Sequence, residues 1–316
     1  MSVLDKRSDG FHNIVSVFLA ADFGDTLLFS LPDTDSNLTE IDMKGFDLPV
    51  PLKENIIFKA VSLFREKTGF VKDLKITVEK RIPVGGGLGG GSSDAAAVLI
   101  ALNEITGFPC SREELLKMGA SLGSDVPFFI YQTPAAFVTG RGEIIEPIEA
   151  PDLSLVLVNP GFSSSTADAF RLLDQYRLDN GDKEAQKHER NNVRLKTAMD
   201  EYKKDCNLNS IEGVSSAYCF RFYNDFLPVF KEPQKSVYNK IISRLRSLGA
   251  DYSGLSGSGS TCFGIFSGWE KAQKAADDIS REDTQLKQCA RSEFFTSHST
   301  LVDKQIFVKA VKTCHF

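Results

Sequence analysis

The stretch IPVGGGLGGGSSDAA, beginning at Ile82, constrains the fold of this chain more than any other. Six glycines, Gly85, Gly86, Gly87, Gly89, Gly90 and Gly91, fall within seven positions, with only Leu88 between them. Glycine gives up more backbone freedom on folding than any other residue, so a plain turn would not use so many. Directly after them, Ala95, Val98, Leu99, Leu102 and Ile105 recur at helical spacing from Ser92 until Gly107 and Pro109 stop the pattern. A candidate strand, Leu74 to Val78, precedes the loop. Strand, bare loop and helix start, in that order, suit an anion. Free N–H groups, the positive end of the helix dipole and the loop's own amides can close around a phosphate. A flexible linker would not join a strand directly to an amphipathic helix. Two commoner glycine motifs are excluded. A Walker A loop ends in Gly-Lys-Ser/Thr, whereas Ser92 follows Gly91 here. Gly85, Gly87 and Gly90 satisfy the dinucleotide pattern, but Glu104, at about the right distance, lies inside the same helix and not after a second strand.

Length and charge narrow the class. The 316 residues suffice for two domains, and 37 basic against 42 acidic residues give a net charge of -5. That balance offers no footprint for nucleic acid or an anionic membrane and points to small-molecule partners. Cys110, Cys206, Cys219, Cys262, Cys289 and Cys314 show no CxxC spacing, which argues for reduced thiols and against a zinc site or a disulfide framework. No apolar run reaches membrane-spanning length, and the first residues have the pattern of neither a signal nor a transit peptide, so a cytoplasmic protein is expected.

Elsewhere the patterning mixes α and β. NIVSVFLAADFGDTLLF alternates, breaks at Asp22 to Asp25 and resumes over Thr26 to Phe29, which predicts two strands around a turn. Asn55 to Gly69 predicts a helix, and so does the stretch opened by the capping box Ser111 and Glu114 and closed by Gly123. A strand is predicted over Leu153 to Val158, followed by a charged, weakly patterned insertion from Leu172 to Cys219, read as exposed with helical pieces. Val237 to Leu248 predicts a helix, YSGLSGSGSTCFGIF a small-residue loop feeding a strand, WEKAQKAADDI a helix and Gln305 to Val311 a last strand. This order resembles half of an α+β sandwich.

Three places carry candidate chemistry. Asp125, in GSDVPFF, precedes an apolar stretch read as a strand; it is either a base for a hydroxyl proton or a turn or cap aspartate. His12, after Phe11 in RSDGFH, stands at the entrance to a strand, where it either reads a base edge beside a stacking ring or is an ordinary core-edge histidine. The loop SGSGST, Ser256 to Thr261, either brings amides to a second anionic group or is a tight connection. No His, Cys and carboxylate set has metal-ligand spacing, and no serine-type triad is apparent.

Taken together these stretches resemble the GHMP kinase superfamily, whose Pro-x-x-x-Gly-Leu-Gly-Ser/Gly-Ser-Ser loop is matched by Pro83 to Ser93. RSDGFH, LGSDVPFFI, NDF and LSGSGSTCFGIF are similar to the motifs of the branch that phosphorylates 4-diphosphocytidyl-2-C-methyl-D-erythritol in the non-mevalonate isoprenoid pathway, and they occur in that branch's order. The resemblance implies an α+β two-domain fold. Residues 1–150 would form an ATP-binding domain like ribosomal protein S5 domain 2, and residues 151–316 a ferredoxin-like domain with a charged insertion around 172–219. It implies ATP and Mg2+ as cofactors, with no magnesium ligand named, and the cytidyl substrate as partner of a monomer or homodimer. Asp125 would take the proton of the 2-hydroxyl as that oxygen attacks the γ-phosphate. Pro83, Gly85, Gly86, Gly87, Leu88, Gly89, Gly90, Gly91, Ser92 and Ser93 would wrap the phosphates, with Asn55 and Asn103 on the adenine side. His12 would recognise cytosine between the rings of Phe11, in place of the usual tyrosine, and Phe170. Gly257, Ser258, Gly259 and Ser260 would approach the reacting phosphate and the diphosphate. The family also carries a Lys-x-Asn pair about a dozen residues before the Asp-Gly-Tyr-His motif, where its lysine stabilises the transferring phosphoryl group. No such pair precedes Asp9, so the expectation is a natural start further upstream; the alternative is a nucleotide-binding protein without turnover. A kinase for homoserine or mevalonate is the same-fold alternative, and DGFH argues against it.

Overall fold

The computed structural model describes residues 1–45, 51–150, 152–181, 223–294 and 306–314. An antiparallel sheet joins β1 (Ser2–Lys6), the alternating β2 (His12–Leu19), the apolar β6 (Ala135–Thr139) and β7 (Ile144–Ile148), in that order. A second sheet places β5 (Leu74–Glu79) between β3 (Thr26–Ser30) and the parallel β4 (Thr39–Lys44). The expected pair of strands around Asp22 to Asp25 therefore exists, but β2 and β3 belong to different sheets. The link is held by distant partners instead of closing a hairpin: Asp22 exchanges hydrogen bonds with the Lys312 backbone, and Asp25 accepts from the amides of Arg81 and Ile82.

Helix α1 (Ile56–Thr68) and helix α2 (Gly90–Ile105) pack Ile57, Phe64, Val98, Leu99 and Leu102 against Leu74, Ile76 and Val78 of β5. Helix α3 (Arg112–Leu122) opens with the expected capping box, Ser111 and Glu114 each bonding the other's backbone. The residues after Asp125 form a short helix, α4 (Val126–Tyr131), where a strand was expected. Pro127 in the first turn suits a helix start, and Val126, Phe128 and Ile130 are all buried, so a run apolar on every side shows no period that would tell helix from strand.

In the C-terminal half, β8 (Ser154–Asn159) is followed by α5 (166–181), α6 (Gln234–Ser247), β9 (Tyr252–Leu255), β10 (Cys262–Phe266), α7 (Trp269–Phe294) and β11 (Phe307–Lys312). Its antiparallel sheet runs β11-β8-β10-β9, the ferredoxin-like order. The insertion read from Leu172 begins inside α5, where Leu173 is buried; residues 182–219 lie outside the described residues. Apolar packing crosses position 150: Val3, Ile14 and Val138 share one core with Val156, Val158, Phe226 and Tyr238. The described cysteines, Cys110, Cys262 and Cys314, are free thiols, and no described helix is long and apolar enough to cross a membrane.

Candidate active site

The glycine loop is stitched to the C-terminal half through its carbonyls. Gly85, Gly86 and Gly87 accept from Ser164 N at 3.0 Å, Thr261 N at 3.0 Å and Ser256 Oγ at 2.7 Å. A trans peptide sets each following N–H opposite its carbonyl, so the amides of Gly86, Gly87 and Leu88 turn away from these donors. Among the described residues those amides have no protein acceptor. The N–H groups of Gly90, Gly91 and Ser92 begin α2 and lack intrahelical partners by geometry. Such bare amides fit a phosphate. Leu88, the one break in the glycines, packs into the apolar cluster of Leu155, Leu157, Ile265 and Val311 and so anchors the loop on the C-terminal sheet.

Bareness has a second cause that sequence reasoning did not supply. A Cβ on Gly87, whose φ is +71°, would lie 2.5 Å from the Ser256 carbonyl oxygen and 2.6 Å from that of Gly259. One on Gly89 would lie 2.9 Å from the Phe129 ring, whereas one on Gly91 would meet nothing closer than Ile56 Cγ2 at 3.7 Å. Several glycines thus permit protein to approach protein, and Gly91 is left for a ligand to explain.

The SGSGST loop is itself held from behind. Asn224, in the NDF stretch, donates to the carbonyls of Leu255 and Gly257, both at 2.8 Å. Asn159, at the end of β8, donates to Ser260 Oγ at 3.1 Å and Thr261 Oγ1 at 3.0 Å. Ser164 Oγ donates to the Ser258 carbonyl at 2.7 Å, Thr166 meets the Ser258 hydroxyl at 2.9 Å, and Ser260 Oγ donates to the Phe162 carbonyl.

Asp125 sits at the N-cap of α4, and its carboxyl has no hydrogen-bond or ion-pair partner among the described residues. Burial pushes its pKa up from the ordinary carboxylate value. Its segment passes the start of α2: a Cβ on Gly123 would stand 3.9 Å from Ser92 Oγ. Across from it, a Cβ on Gly142 would be 3.3 Å from Asp125 Oδ1. The same turn carries Arg141, whose guanidinium donates to the Ala120 carbonyl at 2.8 Å and lies 4.8 Å from the centre of the Phe11 ring. Phe11 is 48% exposed, and the adjacent His12 is buried and stacks on Phe170, with centroids 5.0 Å apart and planes 15° from parallel.

Family models for the GHMP kinases N terminal domain and GHMP kinases C terminal match residues 55–133 and 231–284. A 4-diphosphocytidyl-2-C-methyl-D-erythritol kinase of Thermodesulfovibrio yellowstonii is 37% identical over 281 residues, 87% of this chain and 88% of that protein. The chain belongs to the 4-diphosphocytidyl-2-C-methyl-D-erythritol kinase family of GHMP kinases. The Syntrophotalea carbinolica member is 34% identical over 281 residues, 89% of this chain and 90% of its own. A crystal structure of 4-(cytidine 5'-diphospho)-2C-methyl-D-erythritol kinase matches with a TM-score of 0.66 at 25% identity, covering 99% of this chain and 95% of that one. A homoserine kinase from Cytophaga hutchinsonii, at 17% identity and a TM-score of 0.62, shares the fold. This GHMP kinase is accordingly a small-molecule phosphotransferase that uses ATP.

Within the kinase, the Pro83 to Ser93 loop meets the loop of Gly257 to Ser260, the Asp125 segment passes the start of α2, and His12 meets Phe170 at the head of β2. Asn55 is the N-cap of α1, its Oδ1 accepting from Ile57 N at 2.9 Å. Asn103 does not join the site. Thirteen residues beyond Gly90, it lies about 20 Å down the α2 axis at a helical rise of about 1.5 Å per residue. Its side chain is 6% exposed and bonds the Cys110 amide at 2.9 Å and carbonyl at 3.1 Å, stapling the α2–α3 connection. Sequence reasoning missed Lys80, whose buried ammonium bonds Asp94 at 2.8 Å and also Asp25, tying the end of β5 to the start of α2. Burial pushes Asp94 up to about 6 in spite of Lys80. It also missed Asn159 and Asp174. The only signals for these were the NPGF stretch and a spacing of four residues after Phe170 in a segment taken as a loose insertion.

Proposed function

We propose that this kinase transfers the γ-phosphoryl group of ATP to the 2-hydroxyl of 4-diphosphocytidyl-2-C-methyl-D-erythritol. ATP would supply the phosphoryl group, and Mg2+, when bound with it, would neutralise charge as the group moves. The amides of Gly86, Gly87 and Leu88, with the start of α2 through Ser92 and Ser93, bind and orient phosphate oxygens. Asp125 accepts the proton of the attacking hydroxyl. Gly257 to Ser260 hold the donor side of the reaction against the substrate diphosphate, and Asn224 and Asn159 fix that loop in place. His12, Phe11 and Phe170 take the cytosine. The observation that carries the reading is Asp125: a partnerless carboxyl of raised pKa beside a helix start that offers free amides. The free thiols support a reducing, cytoplasmic setting.

Product identification tests this. Phosphorus NMR of the reaction with ATP is expected to show a new phosphomonoester on C2 of the cytidyl substrate and none with homoserine or mevalonate. Transfer to either of those alcohols in its place would refute the substrate assignment.

A further inference from the structure

The histidine at the head of β2 is gripped by α5 at two points one helical turn apart. Phe170 lies against the face of the His12 ring, and Asp174, four residues on and hence on the same side of α5, reaches its edge. Asp174 Oδ1 stands 2.7 Å from His12 Nε2, and its Oδ2 accepts from Lys6 Nζ at 2.8 Å. Partial burial raises the Asp174 carboxyl, but the bonds from Lys6 and His12 outweigh this and leave it below its ordinary value, so it is ionised. An ionised carboxylate can only accept. Nε2 must then carry a proton, which in the neutral ring leaves Nδ1 as a lone-pair acceptor. Among the described residues Nδ1 has no hydrogen-bond partner.

We infer that Asp174 is a positioning residue that fixes the Nε2–H tautomer of His12, and that the resulting Nδ1 acceptor selects cytosine over uracil. The inference rests on the cytidyl substrate proposed above. Cytosine bears an exocyclic amine, a donor, where uracil bears a carbonyl. The amine satisfies Nδ1, while the carbonyl would set two acceptors face to face.

Asp174→Asn keeps the shape, but its amide can donate to Nε2 as well as accept from it, which releases the tautomer. Calorimetric titration of CDP and UDP into the wild-type chain, Asp174→Asn and His12→Ala tests the idea, with ATP affinity as the control for folding. The wild type is expected to favour CDP. Asp174→Asn is expected to reduce the CDP-to-UDP ratio about tenfold, about the fold-change of one hydrogen bond, with ATP affinity unchanged. A ratio kept in Asp174→Asn but lost in His12→Ala would overturn the role of Asp174 and leave the cytidyl reading intact. No CDP preference in the wild type would overturn both. Nitrogen-15 spectra of wild-type His12 need no variant: a protonated Nε2 with a bare Nδ1 is expected, and a proton on Nδ1 would overturn the inference.

Discussion

Gly87→Ala separates the two reasons for a bare loop. At φ +71° an alanine costs about 1–2 kcal/mol in the left-handed region. Its Cβ would also sit 2.5 Å and 2.6 Å from two backbone oxygens, which cannot swing aside as a side-chain tip would. Overpacking of this kind costs about 1–3 kcal/mol. The sum, about 2–5 kcal/mol, would part the glycine loop from Ser256 and lower the melting midpoint by about 3–8 °C for a chain of this size. Gly91→Ala is the counterpart. Its Cβ would make only an ordinary contact with Ile56 Cγ2 at 3.7 Å, at a helical site where alanine gains about 0.5–1 kcal/mol over glycine, so stability should hold or rise. If α2 receives phosphate at this point, the methyl should still weaken ATP binding. Thermal and denaturant unfolding of both variants, with and without ATP, measures each effect. A Gly87→Ala protein as stable as the wild type, or a Gly91→Ala protein with unaltered stabilisation by ATP, would refute the reasoning.

Lys80→Met should cost about 3–5 kcal/mol at neutral pH, because it leaves Asp25 and Asp94 buried and facing each other without a cation. Asp94 has a folded value of about 6, above the ordinary aspartate value of about 4, so the native state binds more protons in that window and its contribution to stability falls as pH rises through it. Removing the ammonium extends the window upward, and denaturation midpoints should show a smaller deficit at pH 5 than at pH 8, whereas equal deficits would contradict this account of the cluster. Gly142→Ala, at φ +128° and with its Cβ 3.0 Å from Ser124 Cβ, should displace Asp125 and lower kcat about tenfold to 100-fold while leaving KM for ATP unchanged. Steady-state kinetics that show only a change in KM would refute that role for the turn.

The parts of this enzyme legible in sequence are those whose physics is local. The glycine run opening a helix, the Ser111 capping box and the β-α spacing of the C-terminal half were all readable, because caps, dipoles and periodicity act within a few residues. What was not legible depends on partners far along the chain. Lys80 looks like a strand-end lysine until Asp25, 55 residues earlier, is beside it. Asp174 looks like insertion charge until β2 brings His12 against α5 from 162 residues away. Asn103 shows the opposite failure: the resemblance put it on the adenine side, but its amide serves the backbone of Cys110. The stretch after Asp125 was misread because an unbroken apolar run lacks the alternation that distinguishes a strand from a helix.

The measurement that bears most directly on the central claim is ADP release from Mg-ATP, with and without 4-diphosphocytidyl-2-C-methyl-D-erythritol, by the wild type and Asp125→Asn across pH. The base must be ionised to act, and burial raises Asp125, so activity should fall on the acid side through an apparent pKa above the ordinary carboxylate value of about 4. Release should depend on the substrate and drop about 100-fold to 10,000-fold in Asp125→Asn. Release that ignores the substrate, or that persists undiminished in Asp125→Asn, would contradict the account.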